Sequence, residues 1–238
     1  MNQPENIQPD MQRLLAGMKA YFESARRSGI RVLSPYQSVQ SWAAKAEPCD
    51  RETLEAVRDD LGACSRCGLC SHRTTIVFGQ GNPRACLVFV GLAPTPADDA
   101  AGEPFCGAEG DMISNIITRV IKSARCDVYL TNIVKCSPPE GRIPATEEIL
   151  SCIPFLRRQL AAIGPSIVCA LGQAAAQALL GSDRPLDELR GRFYRAGDML
   201  VMPTHDPAFL LVHEDKKRET WGDMQIIVRE LAKNSIRL

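Results

Sequence analysis

The ten cysteines are the residues of this chain with the most evident capacity for chemistry. Cys64 and Cys67 form a C-x-x-C pair, a spacing found in redox pairs and in metal sites, where two thiolates reach one centre from a single turn. Cys136 and Cys152 lie far along the chain, and a fold that returns them to the pair would complete a four-thiolate site. Four thiolates suit zinc or a cubane iron–sulfur cluster, and the spacing alone does not choose between them.

The remaining cysteines and the N-terminal residues indicate a reducing compartment. Cys70 is an alternative ligand, whereas Cys86 and Cys169 lie inside apolar runs and are expected in the core. The polar stretch MNQPENIQPDMQ lacks the charged-then-apolar pattern of a secretory signal. A chain of 238 residues builds a core without disulfide staples. We therefore expect reduced thiols, some of them holding metal, in a cytoplasmic protein.

Composition and charge exclude several classes of protein. Hydrophobic residues make up 45% and charged residues 24%, which is typical of a folded globular chain and not of a disordered one. The 28 basic and 28 acidic side chains balance, so a globally basic nucleic-acid binder is excluded, while a local basic groove is not. No run of about 18 apolar residues occurs, so we expect no membrane partner. The expected oligomeric state is a monomer.

Short apolar runs alternate with amphipathic stretches from Ala85 onward. The runs are typical of strands buried on both faces, and they cover 85–91, 127–134, 166–172 and 199–203. The helical stretches cover 112–121, 146–163, 172–181 and 214–233. This order predicts an α/β fold, doubly wound in three α/β/α layers around a central parallel four-stranded sheet. Because such sheets bind ligands at the carboxyl ends of their strands, the loops to search follow Gly91, Val134, Gly172 and Pro203.

The chain is predicted to divide near residue 55. Residues 9–28 carry an apolar stripe with helical spacing, and residues 1–55 are interpreted as a helical N-terminal extension. Residues 56–238 are interpreted as the α/β domain that carries the metal site.

Four stretches, in order, resemble the iron–sulfur uracil-DNA glycosylases of the family 4 type. They are CSRCGLCSHRTTIVFGQGNPRACLVFVG (64–91), GEPFCGAEG (102–110), YLTNIVKCSPPEGRIP (129–144) and PTHDPAFLL (203–211). The family patterns are CxxCxLCxxR with VFGxGNPxAxLxFVGEAPG, GxPFVGxAG, TNxVKCxPP and a THPAYLL-like motif. The resemblance spans about 64–225. It implies hydrolysis of the N-glycosidic bond of uracil, or of another deaminated base, in DNA, and a [4Fe–4S] cluster on Cys64, Cys67, Cys136 and Cys152.

The resemblance also implies roles around the base. Phe105 matches the aromatic residue that stacks on the flipped base. Asn132 matches the amide that reads the uracil edge, a task that suits an amide because it offers a donor and an acceptor side by side. Gly91, Leu92 and Ala93 lie in the loop whose backbone approaches the base.

Contacts with the rest of the DNA are implied further along the chain. Leu210 and Leu211 match the apolar wedge that fills the gap left by the flipped nucleotide. Lys216 and Lys217 follow the wedge and are candidates for phosphate contacts.

Two positions depart from the family patterns. The family's GEAPG reads GLAPT here, so Leu92 stands where a Glu is expected and cannot orient water. The family's catalytic histidine aligns with Asp206, and His205 falls one residue early. That histidine stabilises negative charge on the departing uracil, which an ionised Asp206 would repel, at a cost of about 3–4 kcal/mol. We therefore expect uracil excision to be weak or absent. His205 and Asp206 are the candidate catalytic residues, and any excision should use His205.

Three functions remain open on the sequence. The first is an active DNA glycosylase. The second is a non-catalytic iron–sulfur relative that binds nucleic acid, which Leu92 and Asp206 favour. The third is an iron–sulfur protein with a redox or structural role in a complex, which the retained Phe105 and Asn132 disfavour.

Overall fold

The structure is a computed structural model, and it describes residues 52–233, which fall within one compact unit. The predicted N-terminal helix over 9–28 lies outside the described residues, as does nearly all of the predicted extension over 1–55. None of the helices in the described part of the chain is long and apolar enough to cross a membrane.

A six-stranded sheet forms the centre of the molecule, in the order β1-β3-β2-β4-β6-β5. The four inner strands are parallel, and each edge strand is antiparallel to its neighbour. The strands are β1 Gln80–Gly81, β2 Leu87–Gly91, β3 Tyr129–Asn132, β4 Ile167–Leu171, β5 Tyr194–Ala196 and β6 Met199–Thr204. The predicted α/β fold with four central parallel strands is confirmed. The two edge strands escaped prediction because runs of two and three residues carry no recognisable period.

Helices cover both faces of this sheet. They are α1 Leu54–Leu61, α2 Pro96–Ala101, α3 Gly107–Asn115, α4 Thr146–Ile163, α5 Gln173–Leu180, α6 Leu186–Leu189, α7 Pro207–Val212 and α8 Lys217–Lys233. The stripe over 112–121 was predicted as one α-helix, but a π-helical turn, Ile116–Ile121, continues α3 and ends at Lys122 with a φ of 62°.

The inner strands are apolar throughout because both of their faces are buried. Along β2, Val88 and Val90 face one core with Leu156 of α4, whereas Leu87 and Phe89 face the other core. All five residues of β2 are buried. The alternation of side chains along a strand therefore builds two cores, one on each side of the sheet.

The carboxyl ends of the parallel strands meet at one edge of the molecule. The amide of Ile133, after β3, donates to Gly91 O at the end of β2 (2.9 Å). The amide of Gly172, after β4, donates to Thr204 O at the end of β6 (2.8 Å). These bonds continue the ladder into the loops, so the four loops that were predicted to carry the site lie side by side.

The different burial of two leucines in α4 predicts that their replacement by alanine destabilises the protein to different extents. Leu156 is fully buried and Leu150 is 39% exposed. Leu156→Ala should lower the free energy of unfolding by about 2–5 kcal/mol, because it leaves a cavity. Leu150→Ala, the matched control, should change it by less than about 0.5 kcal/mol. Urea denaturation measures both, and equal losses would contradict this assignment of the core.

Candidate functional site

Gly91, Phe105 and Asn132 come together at the ends of β2 and β3. A Cβ atom on Gly91 would lie 2.4 Å from Asn132 Oδ1 and 2.9 Å from Phe105 Cζ, so only glycine fits there. Asn132 is 1% exposed, and neither Nδ2 nor Oδ1 has a hydrogen-bond partner. A buried amide left unpaired costs about 1–3 kcal/mol, which a ligand that pairs with it would offset.

Phe105 is held in a left-handed conformation, with a φ of 57°. Arg125 Nη2 donates to Pro104 O (2.8 Å) and Phe105 O (3.0 Å), and Asp98 Oδ1 accepts from Cys106 N (2.6 Å). A non-glycine residue in this conformation costs about 1–2 kcal/mol, so the surrounding bonds must impose it. Asp98 and Arg125 are positioning residues that the sequence reasoning missed, because their partners are backbone atoms of another segment.

Leu92 and Ala93 follow Gly91 and are half-buried. Both pack against the core on the α4 side, and Leu92 O accepts from Val134 N at 3.0 Å. Leu92 thus contributes packing and a backbone carbonyl to this loop, and no polar side chain.

His205 and Asp206 have different surroundings. His205 is buried, its Nε2 lies 2.9 Å from Glu219 Oε2 on α8, and its ring stacks on Phe209 at 5.1 Å. Asp206 caps α7, with Oδ1 accepting from Ala208 N at 2.8 Å. It also lies against the turn after β4, where a Cβ atom on Gly172 would be 3.1 Å from Asp206 Cβ. Asp206 therefore lies at the strand ends, while the His205 imidazole is engaged with α8.

Two half-buried carboxyl groups at this edge have raised pKa values. Burial raises the pKa of Asp206, and the amides of Ala208 and Phe209 oppose the shift. Burial, followed by the charges of Asp206 and Asp98, raises the pKa of Glu109 to about 7. Glu109 was missed by the sequence reasoning, although it stands in GEPFCGAEG where the family pattern has alanine.

The two leucines predicted as a wedge differ in exposure. Leu210 is 1% exposed and packs into the protein, whereas Leu211 is 41% exposed. Phe209 and Val212, which the prediction did not include, are also exposed on α7. The exposed apolar surface of this helix is therefore formed by Phe209, Leu211 and Val212.

The two lysines predicted to contact phosphate are paired within the protein. Lys216 Nζ lies 2.8 Å from Glu219 Oε1, and Lys217 Nζ pairs with Glu214. Both ion pairs are on the surface, where such pairs are worth about 0–1 kcal/mol and exchange readily with other partners.

The four predicted metal ligands line one cavity. Its walls include Cys64, Cys67, Cys136 and Cys152, with Cys70 beside them. The α1 helix and the short turn Gly68–Ser71 bring the first pair, the loop after β3 brings Cys136, and α4 brings Cys152. Among the described residues, no three His, Cys, Asp or Glu side chains are placed to hold a single metal ion.

Three cations stand against this thiol cavity. Arg73 Nη1 lies 3.3 Å from Cys136 Sγ, Arg66 Nη1 lies 3.6 Å from Cys64 Sγ, and Lys135 forms part of the wall. Burial raises the pKa of Cys152 to about 11, so its free thiol stays protonated near neutral pH. A metal bound there would require the thiolate form of Cys152, and Arg66 and Arg73 would offset part of the thiolate charge.

Lys135 joins the thiol cavity to Asn132. It is 1% exposed, and its Nζ donates to Asn132 O (2.6 Å) and Thr131 Oγ1 (2.7 Å). Burial lowers the pKa of Lys135 to about 7, and the neighbouring Cys152 opposes the shift. The segment that carries Asn132 is therefore fastened by a side chain that also forms the cavity wall.

Because Asn132 and Phe105 lie so close to Gly91, alanine at this position should be less stable than alanine at an open glycine position. Gly91→Ala should destabilise the protein by about 1–3 kcal/mol, because the methyl group collides with Asn132 and Phe105. The control is Gly222→Ala in α8, where a Cβ atom would meet nothing within 4 Å. That change should be neutral or stabilise by up to about 1 kcal/mol. Thermal unfolding compares the two, and a neutral Gly91→Ala would contradict the geometry of the pocket.

Comparison with known proteins was made for the whole chain. Residues 78–225 match the family model of the uracil DNA glycosylase superfamily. A type-4 uracil-DNA glycosylase of Saccharolobus solfataricus is 32% identical over 195 residues, which are 79% of this chain and 90% of the relative. The type-4 enzyme of Archaeoglobus fulgidus is 35% identical over 184 residues, 74% of this chain and 92% of the relative.

The matched region contains the whole strand-end pocket. It includes Gly91, Phe105, Asn132, His205 and Asp206, all within residues 78–225. The resemblance seen in the four motifs is thus confirmed over most of the chain, and the protein belongs to the uracil DNA glycosylase superfamily.

Proposed function

We propose that this protein hydrolyses the N-glycosidic bond of uracil, or of another deaminated base, in DNA. Membership of the superfamily supports the reaction class, and the type-4 relatives are named for uracil in DNA. The structural observation that carries the proposal is the unpaired amide of Asn132 beside the Phe105 ring.

Asn132 and Phe105 suit a uracil base. An amide presents one donor and one acceptor, which match the adjacent O4 and N3–H of uracil. An aromatic ring offers a face for stacking, and Gly91 leaves room for the backbone to approach. In this proposal the Leu92 and Ala93 backbone forms the floor of the base pocket.

A base can enter this pocket only after it leaves the duplex stack, at a cost of a few kcal/mol. We assign the wedge that offsets this cost to the exposed side of α7, where Leu211 and Phe209 lie, with the buried Leu210 supporting the helix. Lys216 and Lys217 are proposed to exchange their carboxylate partners for phosphates, so DNA binding should weaken as salt rises.

The thiol cavity is proposed to hold a [4Fe–4S] cluster on Cys64, Cys67, Cys136 and Cys152. Four thiols form a donor set that fits a cluster bound by four thiolates, and Arg66 and Arg73 lie beside them with positive charge. The four cysteines line one cavity, so each could supply a thiolate to a cluster bound there. Bound there, the group ties α1, α4 and the loop after β3 together.

A non-catalytic relative that binds DNA is the second candidate. The half-buried Leu92 favours it, since this side chain supplies no polar group to water. An ionised Asp206 facing the departing base favours it as well. The third candidate, a redox or structural iron–sulfur protein, gives no reason for an unpaired amide beside Phe105.

Uracil excision tests the proposed activity. Wild-type protein incubated with an oligonucleotide carrying one uracil should leave an abasic site that alkali cleaves. The matched oligonucleotide with thymine should stay intact. Stable binding of the uracil strand without cleavage would replace the proposal by the non-catalytic candidate.

Metal analysis tests the cluster. The purified protein should contain about four iron atoms per chain. Cys136→Ser should lose iron and melt at a lower temperature, whereas Cys126→Ser, which changes an exposed cysteine, should do neither. Zinc in place of iron would reject the cluster and leave a zinc site, and an unchanged melting curve for Cys136→Ser would reject a structural role.

A further inference from the structure

Two carboxyl groups, Glu109 and Asp206, flank the same contact between helices α3 and α7. Met112 of α3 and Leu210 of α7 line one groove between these helices. Glu109 lies three residues before Met112, and Asp206 four residues before Leu210, so each lies one turn closer to the strand ends. The two helices pack against each other, which brings Glu109 and Asp206 to the same end of their contact.

The pair stands beside the base pocket. Glu109 is followed by Gly110, which packs against the carbonyl group of Phe105. A Cβ atom on Gly110 would lie 1.9 Å from Phe105 O. Asp206 lies against Gly172, and β4 runs beside β2 with Val90 opposite Ala170. Glu109 is thus next to the residue that packs under Phe105, and Asp206 is at the neighbouring strand end. Both carboxyl groups therefore border the strand-end region that holds Asn132, called the strand-end cleft below.

Asn132 provides independent evidence that a ligand enters this cleft. Its amide is almost completely buried, and both polar atoms lack partners. Both Asn132 Oδ1 and the Phe105 ring border Gly91, where a Cβ atom would meet each of them within 3 Å.

Glu109 and Asp206 differ in how readily each carboxyl group ionises. Both carboxyl groups are half-buried, and neighbouring carboxylates in such surroundings do not both ionise readily. Asp206 accepts backbone N–H bonds at the start of α7, which favour its ionised form. Burial raises the pKa of Glu109 most, and the two charged groups that add to the shift are both acidic: Asp206 from α7 and Asp98 from α2. These surroundings favour the protonated form of Glu109 below a pH of about 7.

We propose that Glu109 and Asp206 form the acid and base pair of the glycosylase reaction, with Glu109 as the acid and Asp206 as the base. The inference rests on the proposed function. The pair would take over the roles of two family residues that this chain lacks, the Glu at position 92 and the His at position 206. A neutral carboxylic acid stabilises a departing anion, and a carboxylate activates water.

Water is the only co-reactant that this reaction needs. The C1′–N1 bond breaks, and its electron pair goes to N1 of uracil while Glu109 donates its proton to the base. A water molecule bonds to C1′ through oxygen and passes one proton to Asp206. The products are the free base and the abasic sugar. The proton on Asp206 then returns to Glu109, which restores the pair.

The pH dependence of uracil excision tests this assignment. Wild-type excision should fall as pH rises through about 7, because Glu109 then loses its proton. Glu109→Gln keeps a neutral donor but no transferable proton. It should be roughly 100-fold slower at pH 6 and should lack the fall above pH 7. Glu103→Gln, at an exposed carboxyl group of the loop that precedes α3, should retain the wild-type profile.

A second measurement is independent of turnover. Carbon-13 NMR of labelled glutamate, with the Glu109 signal assigned by its loss in Glu109→Gln, should show a midpoint near 7 that falls in Asp206→Asn. A midpoint unaffected by Asp206→Asn would overturn the pair.

The outcomes for the pair and for the proposed function are distinguishable. Wild-type protein without any uracil excision would overturn the proposed function, and the catalytic roles of the pair with it. Wild-type excision whose alkaline fall persists in Glu109→Gln would overturn the role of Glu109 alone.

Discussion

The buried ammonium group of Lys135 connects the two parts of the site. Its Nζ bonds Asn132 O at 2.6 Å and Thr131 Oγ1 at 2.7 Å, and its side chain forms part of the wall of the thiol cavity. Hydrogen bonds to a charged group contribute about 1.5–3 kcal/mol each, and a buried amine without them would be strongly unfavourable. The bond from Lys135 to Asn132 O, together with the pairing of β3 and β2, holds the backbone that carries the unpaired Asn132 amide.

The parallel sheet explains why the other groups converge on the same place. Gly91 and Asn132 are the last residues of two adjacent strands, and Asp206 follows the end of a third. Phe105 and Glu109 come from the connection between β2 and β3, and Asp98 and Arg125 hold that connection by bonds to its backbone. Strand ends thus position Asn132, the proposed base reader, and a fastened loop positions Phe105, the proposed stacking ring.

Much of this arrangement could be predicted from the sequence, because it depends on local patterns. Apolar runs such as ACLVFVG located the inner strands, and the motif around TNIVKC located Asn132 and Cys136. The edge strands could not be predicted, since Gln80–Gly81 owes its pairing to Tyr129 and Leu130 and not to its own residues. Glu109 was missed for a related reason: its partner Asp206 is 97 positions away in the sequence, and only the contact between α3 and α7 brings them together. The exposure of Leu211 rather than Leu210 likewise depends on how α7 lies on the core.

The central claim is that Asn132 reads uracil, and its most direct test is base preference in binding. The affinity for a uracil-containing strand relative to the thymine-matched strand is measured by titration for wild type and Asn132→Ala. Loss of one buried donor and one acceptor should reduce the preference by about tenfold or more, while binding to the backbone persists. An Asn132→Ala protein that keeps the wild-type preference would show that the base is read elsewhere.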